Sequence, residues 1–441
     1  MPKEIAMKMV YVKDLLRGSG SERSAVDLSG WVKSRRNGKD IVFLDICDST
    51  GMIQAVVKVE NAAYVIAKNV PVESSVKVIG ILESGSNAPE IRVEQMQVIG
   101  SAAEISPHPR SPFDIFDVKM ADHLLKNRHL YLRNDKVMAI LRFRHLAMMA
   151  MRDWFNQKGY IEITAPVLTP APLYEDGTAM PITVHDENVF LTQCVGFYLE
   201  SAVHAFEKVY NIGPSFRAEE TRSKRHLMEY WHIKAELAWV SVDDLMAIVE
   251  DMIGHVVRFS LEHHSDIPRM LGTELCVDGL SVPFPRITYV EAVNRLSSLG
   301  VPFEFGASLG SDEEEILSRG FSSPFWITGI PRKIEPFPYV IDVDDSRVTR
   351  TADLIATNGY GELLGVAEKI STLPELDDRM KEKGKFGDPR YEWLRQMREF
   401  GCVPHGGFGM GVERFIRWLL NIPHVRDTIP FPRIFRRKIA P

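Results

Sequence analysis

Between residues 26 and 100, apolar and polar positions alternate in short runs. "VDLSGWVKSRR" (26–36), "IVFLDICD" (41–48), "GMIQAVVKVE" (51–60), "SVKVIGILES" (75–84) and "EIRVEQMQVIG" (90–100) each read as a strand. "NGKD", "STG" and "GSNAP" supply turn chemistry between them, and "NAAYVIAKNV" (61–70) has helical character. Five short strands with one interposed helix predict a small barrel of the oligonucleotide-binding type. Such barrels serve many functions, so the architecture only points toward nucleic acid.

The pattern changes after residue 100. Residues 101–133, with "SPHPRSPFD", are rich in Pro, His and Asp and read as a linker or hinge. From Asp135 apolar positions recur at helical spacing through "DKVMAILRFRHLAMMAMRDWFNQKGY", and Gly159 marks the end. "IEITAPVLTPAP" follows as a strand with prolines. Strands and helices then mix to the C-terminus. The expected division is a barrel domain at 1–105, a hinge at 106–134 and a larger α+β domain at 135–441.

Composition narrows this picture. The 441 residues suffice for two or three domains, with 45% hydrophobic and 25% charged positions, as in ordinary globular proteins. No apolar run reaches membrane-spanning length, and "MPKEIAMKMVYVKDLL" lacks a signal-peptide layout, so a cytoplasmic location is expected. Cys47, Cys194, Cys276 and Cys402 lie far apart without a C-x-x-C pair or a Cys/His cluster. Neither disulfides nor a structural zinc site is expected. A net charge of −6 argues against indiscriminate nucleic-acid binding but allows a local basic surface.

Three segments carry candidate chemistry. In "FRAEETRSKRHLMEY" (216–230), Arg217 could hold a phosphate bidentately and Tyr230 could stack a purine. A hairpin with a solvated, charged loop explains the same residues. In "GFGMGVERFIRWLLNIPHVRDTIPFPR" (407–433), Gly407, Gly409 and Gly411 lead into an amphipathic helix with Glu413 and Arg414. They would let backbone approach a ligand, or would simply form a turn before a core helix. In "TADLIATNGYGELLG" (351–365), Asp353 and Glu362 flank a turn and suit Mg²⁺ on phosphates, although surface acids are common.

In this order the segments resemble the motifs of class II aminoacyl-tRNA synthetases. The helix from Asp135 with "ITAP" looks like motif 1, "FRAEE…RHLMEY" like motif 2, and "GFGMGVERFIRWLL" like motif 3. The barrel, "EKVYNIGPSFRAEE" and "HVRDTIPFPR" narrow the resemblance to the aspartyl, asparaginyl and lysyl subgroup (subclass IIb). Within it the archaeal-type asparaginyl enzymes are nearest. The resemblance covers nearly the whole chain and implies a class II catalytic domain, an antiparallel sheet flanked by helices. It implies an ATP-dependent ligase that forms an acyl-adenylate, with Mg²⁺, and a homodimer built on motif 1. It also implies tRNA bound through the barrel and a small amino or carboxylic acid substrate. Arg217 would hold the α-phosphate and Arg414 the γ-phosphate end. Glu219, Arg225, His226 and Tyr230 would contact ATP, with Asp353 and Glu362 on the metal. Phe43 and Gln54 would read the anticodon, with Arg35 and Arg36 on its backbone. For Phe43, a place in the barrel core is the alternative.

The sequence departs from that pattern in the amino-acid pocket. "Q-S-x-Q-L-Y" appears as "QCVGFY" (193–198), keeping Gln193 but placing Gly196 where a glutamine would touch the substrate. "G-G-S-x-R" reads "GVAEK" (365–369), so serine becomes Ala367 and the substrate-binding arginine becomes Lys369. Lys234 replaces an acid within a run that reads as a buried strand, "WHIKAELAW" (231–239). Glu175 lies in the matching loop and could contact an α-amino group. A buried lysine needs an anionic partner or a lowered pKa. That partner is either the substrate or a protein acid such as Glu236 or Glu368. The readings are a ligase with altered acid specificity, an ordinary asparagine–tRNA ligase, and a non-catalytic RNA-binding relative.

Overall fold

The computed structural model describes residues 10–17, 24–84, 88–103, 114–172, 176–220, 223–263, 267–275, 280 and 282–439. The chain forms two compact units, Met1–Pro112 and Phe113–Pro441.

In the first unit, β1 (Ser24–Asn37), β2 (Ile41–Cys47), β3 (Met52–Lys58), β4 (Ser75–Ser84) and β5 (Pro89–Gly100) close a barrel in the order β1-β2-β3-β5-β4. Closure pairs every strand on both sides and leaves no edge. The two-residue period decides which side chains go inside. In β2, Val42, Leu44 and Ile46 are fully buried, and Phe43 therefore points outward. The helix Tyr64–Asn69 between β3 and β4 adds Tyr64 and Ala67 to the core.

The second unit starts with short helices at Ala121–Lys126 and Arg128–Tyr131. Ile115, Leu124 and Tyr131 are buried in its core, so residues 114–134, expected as hinge, pack as part of this unit. The long helix runs Asp135–Gln157. Asn134 caps it, accepting from the N–H groups of Lys136 and Val137 and satisfying two orphan donors of the first turn. Gly159 follows in the left-handed region, at φ +77°, where a side chain would be strained. Ile140, Phe143, Ala147, Met151 and Trp154 recur every three or four residues and are buried. Each such large side chain contributes about 1.5–3 kcal/mol.

A small sheet pairs β7 (Leu168–Thr169), β9 (Glu187–Leu191) and β8 (Met180–Val184). The main sheet has eight strands. They are β6 (Ile161–Glu162), β10 (Lys208–Phe216), β11 (Glu229–Ala238), β12 (Arg286–Thr288), β13 (Phe325–Thr328), β14 (Thr351–Ala356), β15 (Gly361–Lys369) and β16 (His405–Gly411). Their order is β12-β13-β14-β15-β16-β11-β10-β6, antiparallel except at the two edge pairs. One face meets the helices Asp135–Gln157 and Val242–His263 through Ile233, Ala235, Leu354, Val366, Phe408 and Met410. The opposite face therefore receives His232, Lys234 and Glu236 from β11. The strand ends at Ala238, and Trp239 turns out to solvent at φ +62°, 64% exposed, unlike the buried position its spacing suggested.

Candidate active site

The polar face of β11 and its neighbours floors a cavity of about 280 Å³. Register explains its shape. Lys234 pairs with Gly409, Gly409 with Gly365, and Gly365 with Asp353. The two glycines in that row let the lysine and the acid lie over them: a Cβ at Gly365 would stand 2.8 Å from Asp353 Oδ1. Gly409 also sets where the Lys234 tip lies, because a Cβ there would stand 2.5 Å from Lys234 Cε and Nζ.

One end of the cavity gathers the expected nucleotide residues. Arg217, Glu219, Arg225, His226, Tyr230, Asp353, Glu362 and Arg414 all line it. Arg217 donates to Glu219 Oε1 at 3.0 Å. Arg414 donates to both the backbone and the carboxylate oxygen of Glu362 at 3.2 Å. Arg225 is ion-paired with Glu314, whose carboxylate also accepts from the Glu362 N–H at 3.0 Å. His226 is hydrogen-bonded to the Ser223 hydroxyl and lies 3.6 Å from Glu219. Burial and the surrounding arginines lower its pKa to about 4, so it is neutral at pH 7.

Two acids here escaped the sequence reading. Glu335 joins Asp353 and Glu362 in the cavity lining, and Glu314 lies near enough to repel Asp353. Burial, then repulsion from Glu362, pushes Glu335 up to about 8, and the same two causes hold Asp353 well above its usual range. A set of hard carboxylate oxygens whose mutual repulsion is relieved by positive charge suits Mg²⁺. Glu314 sits in "SDEEE", which looks like a solvated helix start, and no local signal marks Glu335.

The other end holds the departures. Gln193, Lys234, Ala367 and Lys369 line the cavity. Burial lowers the Lys234 pKa; Lys369 and Arg217 push the same way, and Cys194 and Glu236 oppose. Glu368 is engaged elsewhere, 2.9 Å from Arg350, so it is not the partner suggested for Lys234. Lys369 stands where the subgroup has its substrate-binding arginine. Its ammonium is 2.8 Å from Glu200 Oε1 and 3.3 Å from Glu236 Oε2. Glu200 is further paired with Arg398 at 2.8 Å and His405 at 3.5 Å. Burial alone would neutralise Glu200, but Lys369 and Arg398 hold it well below the usual carboxylate range. None of Glu200, Arg398 and His405 was singled out in the sequence. Gly196 begins the helix Gly196–Phe206 and is buried, its N–H 3.3 Å from Cys194 Sγ. It is not among the cavity-lining residues. Glu175 lies outside the described residues.

Residues 120–434 match the family model for tRNA synthetases class II (D, K and N), and residues 26–99 match the OB-fold nucleic acid binding domain. The chain belongs to the class II tRNA synthetases. This synthetase is 38% identical to the asparagine–tRNA ligase of Pyrococcus abyssi over 435 residues, covering 97% of this chain and 98% of that one. It is 32% identical to the asparagine–tRNA ligase of Thermoplasma acidophilum, over 94% and 96% of the two chains. Among solved structures it resembles asparaginyl-tRNA synthetase from Pyrococcus horikoshii complexed with asparaginyl-adenylate. There the TM-score is 0.91 with 34% identity, covering 98% of this chain and 100% of that one. The synthetase is thus an ATP-dependent ligase of the asparaginyl-tRNA synthetase-like kind.

The synthetase's barrel presents a second candidate surface. Arg36 pairs across β1 and β2 with Phe43 and lies over its ring at 5.5 Å. Arg36 also donates to Gln54 Oε1 at 2.7 Å, and Gln54 donates to Glu90 at 2.8 Å. Arg35 does not join this patch. It donates to the Val70 carbonyl at 2.6 Å, because adjacent strand positions face opposite ways.

Proposed function

We propose that this ligase activates an acid other than asparagine as its adenylate, using ATP and Mg²⁺, and passes it to tRNA. The observation that carries this reading is the split within one cavity. The nucleotide residues converge at one end, while at the other Lys234 stands where the subgroup has an acid and the Lys369 ammonium is held by Glu200 and Glu236. A substrate's ammonium group is disfavoured beside Lys234, and an anionic or neutral group is favoured.

The substrate carboxylate attacks the α-phosphorus and pyrophosphate leaves, with no protein nucleophile needed. Arg217 draws the α-phosphate into line and Arg414 holds the departing pyrophosphate end. Asp353 and Glu362, with Glu335 and Glu314 behind them, would hold Mg²⁺, which neutralises phosphate charge when bound. Tyr230 stacks the adenine. Phe43, Gln54 and Arg36 contact the anticodon, which favours tRNA over a small amine as acceptor. The helix Asp135–Gln157 joins two copies as a homodimer, and the protein works in the cytoplasm. Among the described residues no helix is long and apolar enough to cross a membrane.

ATP–pyrophosphate exchange across a panel of amino and carboxylic acids, with and without total tRNA, tests this. Exchange is expected with one or a few acids and not with asparagine. Asparagine-dependent exchange and charging of asparagine tRNA overturn it in favour of an ordinary asparagine–tRNA ligase. Silence across the panel, with RNA still bound, favours a non-catalytic relative. A Lys234→Glu, Lys369→Arg variant that gains asparagine exchange supports the changed pocket.

A further inference from the structure

Beyond Glu200, behind the acid end of the cavity, three metal-ligating side chains meet. His204 comes from the last turn of the helix Gly196–Phe206, and Cys402 and His405 come from "CVPH", which leads into β16. One ligand atom of each lies within 4.8 Å of the others. His204 Nε2 is 3.2 Å from Cys402 Sγ, and Cys402 Sγ is 4.0 Å from His405 Nδ1. In a tetrahedral zinc centre, Zn–N near 2.05 Å and Zn–S near 2.3 Å set the N···S edges at about 3.6 Å. The two observed separations lie within about half an ångström of that edge, and the third, between the imidazoles, is within 4.8 Å.

We propose that His204, Cys402 and His405 form a binding site for a zinc-class divalent cation, with water as the fourth ligand. Cys402 and His204 are half-buried, which leaves that fourth position a route to solvent. The outer contacts are those a zinc histidine uses. His204 Nδ1 is 2.6 Å from the Glu200 carbonyl, and a proton donated there leaves a lone pair on Nε2, which lies 3.2 Å from the sulfur and accepts from the Val403 N–H at 3.4 Å until a cation takes it. His405 Nε2 is buried and 3.5 Å from Glu200 Oε2, with no closer hydrogen bond. Glu200 thus backs both imidazoles. In the metal-free arrangement His405 Nδ1 lies 2.8 Å from the Val403 carbonyl and donates to it. On ligation the His405 Nδ1 proton leaves to solvent, its lone pair turns to the metal, and Nε2–H stays directed at Glu200. The Cys402 thiol proton passes to solvent. A thiolate with two imidazoles selects zinc over magnesium, whereas the carboxylates of the ATP end select the reverse. The cation would tie the helix Gly196–Phe206 to β16 and orient Glu200, which also holds Lys369 beneath the acid pocket. The sequence expectation of no zinc cluster missed this, because C-x-x-H supplies only two ligands and the third lies about two hundred residues earlier.

The full-length protein, stripped with chelator, is titrated with Zn²⁺ and separately with Co²⁺. One equivalent of zinc is expected to survive desalting, and the cobalt form should show a thiolate-to-cobalt charge-transfer band. Cys402→Ser should abolish the band, and His204→Gln should weaken cobalt binding at least tenfold. Asp353→Asn, at the other metal end, should leave the band intact. A folded wild-type protein without the band overturns the site. So does a band that persists unchanged in Cys402→Ser, which would place the cation on another cysteine.

Discussion

Lys369 and Glu200 form an ion pair 2.8 Å long with side chains 4% and 0% exposed. Removing one member of a buried pair costs about 3–5 kcal/mol, because the other charge stays buried and uncompensated. In Glu200→Gln, Arg398 loses its carboxylate and Lys369 keeps only Glu236, at 3.3 Å. Denaturant unfolding should show a loss of about 3–5 kcal/mol, partly recovered in the Glu200→Gln, Lys369→Met double variant. A loss below about 1 kcal/mol would mean that the network carries little of the fold's stability.

Gly409 separates packing from substrate selection. The three atoms nearest to an alanine Cβ there all belong to the flexible end of Lys234, which can swing aside. Gly409→Ala should change stability by less than about 1 kcal/mol. It should raise KM for the cognate acid about tenfold, since even one misplaced contact of 1–1.5 kcal/mol has that effect. An unchanged KM would show that the Lys234 tip does not touch the acid.

Legibility followed the range of the interactions. The barrel strands were readable because alternation and turn residues are local, and so was the helix from Asp135. The order of the eight-stranded sheet was not, since it pairs β11 with β16 across about 170 residues. The same holds for the site. Arg217, Tyr230 and Arg414 stand in motifs, whereas Glu335 and the cluster of Glu200, Arg398 and His405 become visible only when distant segments meet. Lys369 illustrates the limit best. Its substitution for arginine was evident in the sequence, but its sequestration depends on a glutamate 169 positions away.

Arg217 should be required for chemistry and dispensable for folding. Its side chain is 38% exposed and its ion partner is Glu219, two residues away. Arg217→Ala should lower ATP–pyrophosphate exchange by about 10²–10³-fold, the usual effect of removing one preorganised transition-state donor. Arg217→Lys should recover little, because an ammonium cannot reproduce the planar two-pronged contact. Thermal unfolding of both variants should stay close to wild type. Retained exchange in Arg217→Ala would remove this residue from the reaction.

His226 should give the fold an acid-sensitive component. Burial, then Arg414, lowers its pKa to about 4, against about 6.5 in an unfolded chain. Between those values the unfolded chain binds a proton that the folded chain does not. The contribution is therefore fully present above pH 6.5 and is lost as pH falls through 6.5 toward 4. With the ring buried by arginines, the loss is about 2 kcal/mol at pH 4.5. His424, lowered to about 3, acts in the same direction, so the wild-type pH profile alone cannot isolate one ring. His226→Gln does. The difference in unfolding free energy between wild type and variant should be constant from pH 7 to 8. Below pH 6.5 it should shift by about 2 kcal/mol against wild type. A difference that stays flat down to pH 4.5 would mean that His226 binds its proton equally well folded and unfolded, and the arginines around the phosphate end would then not be exerting the field assigned to them.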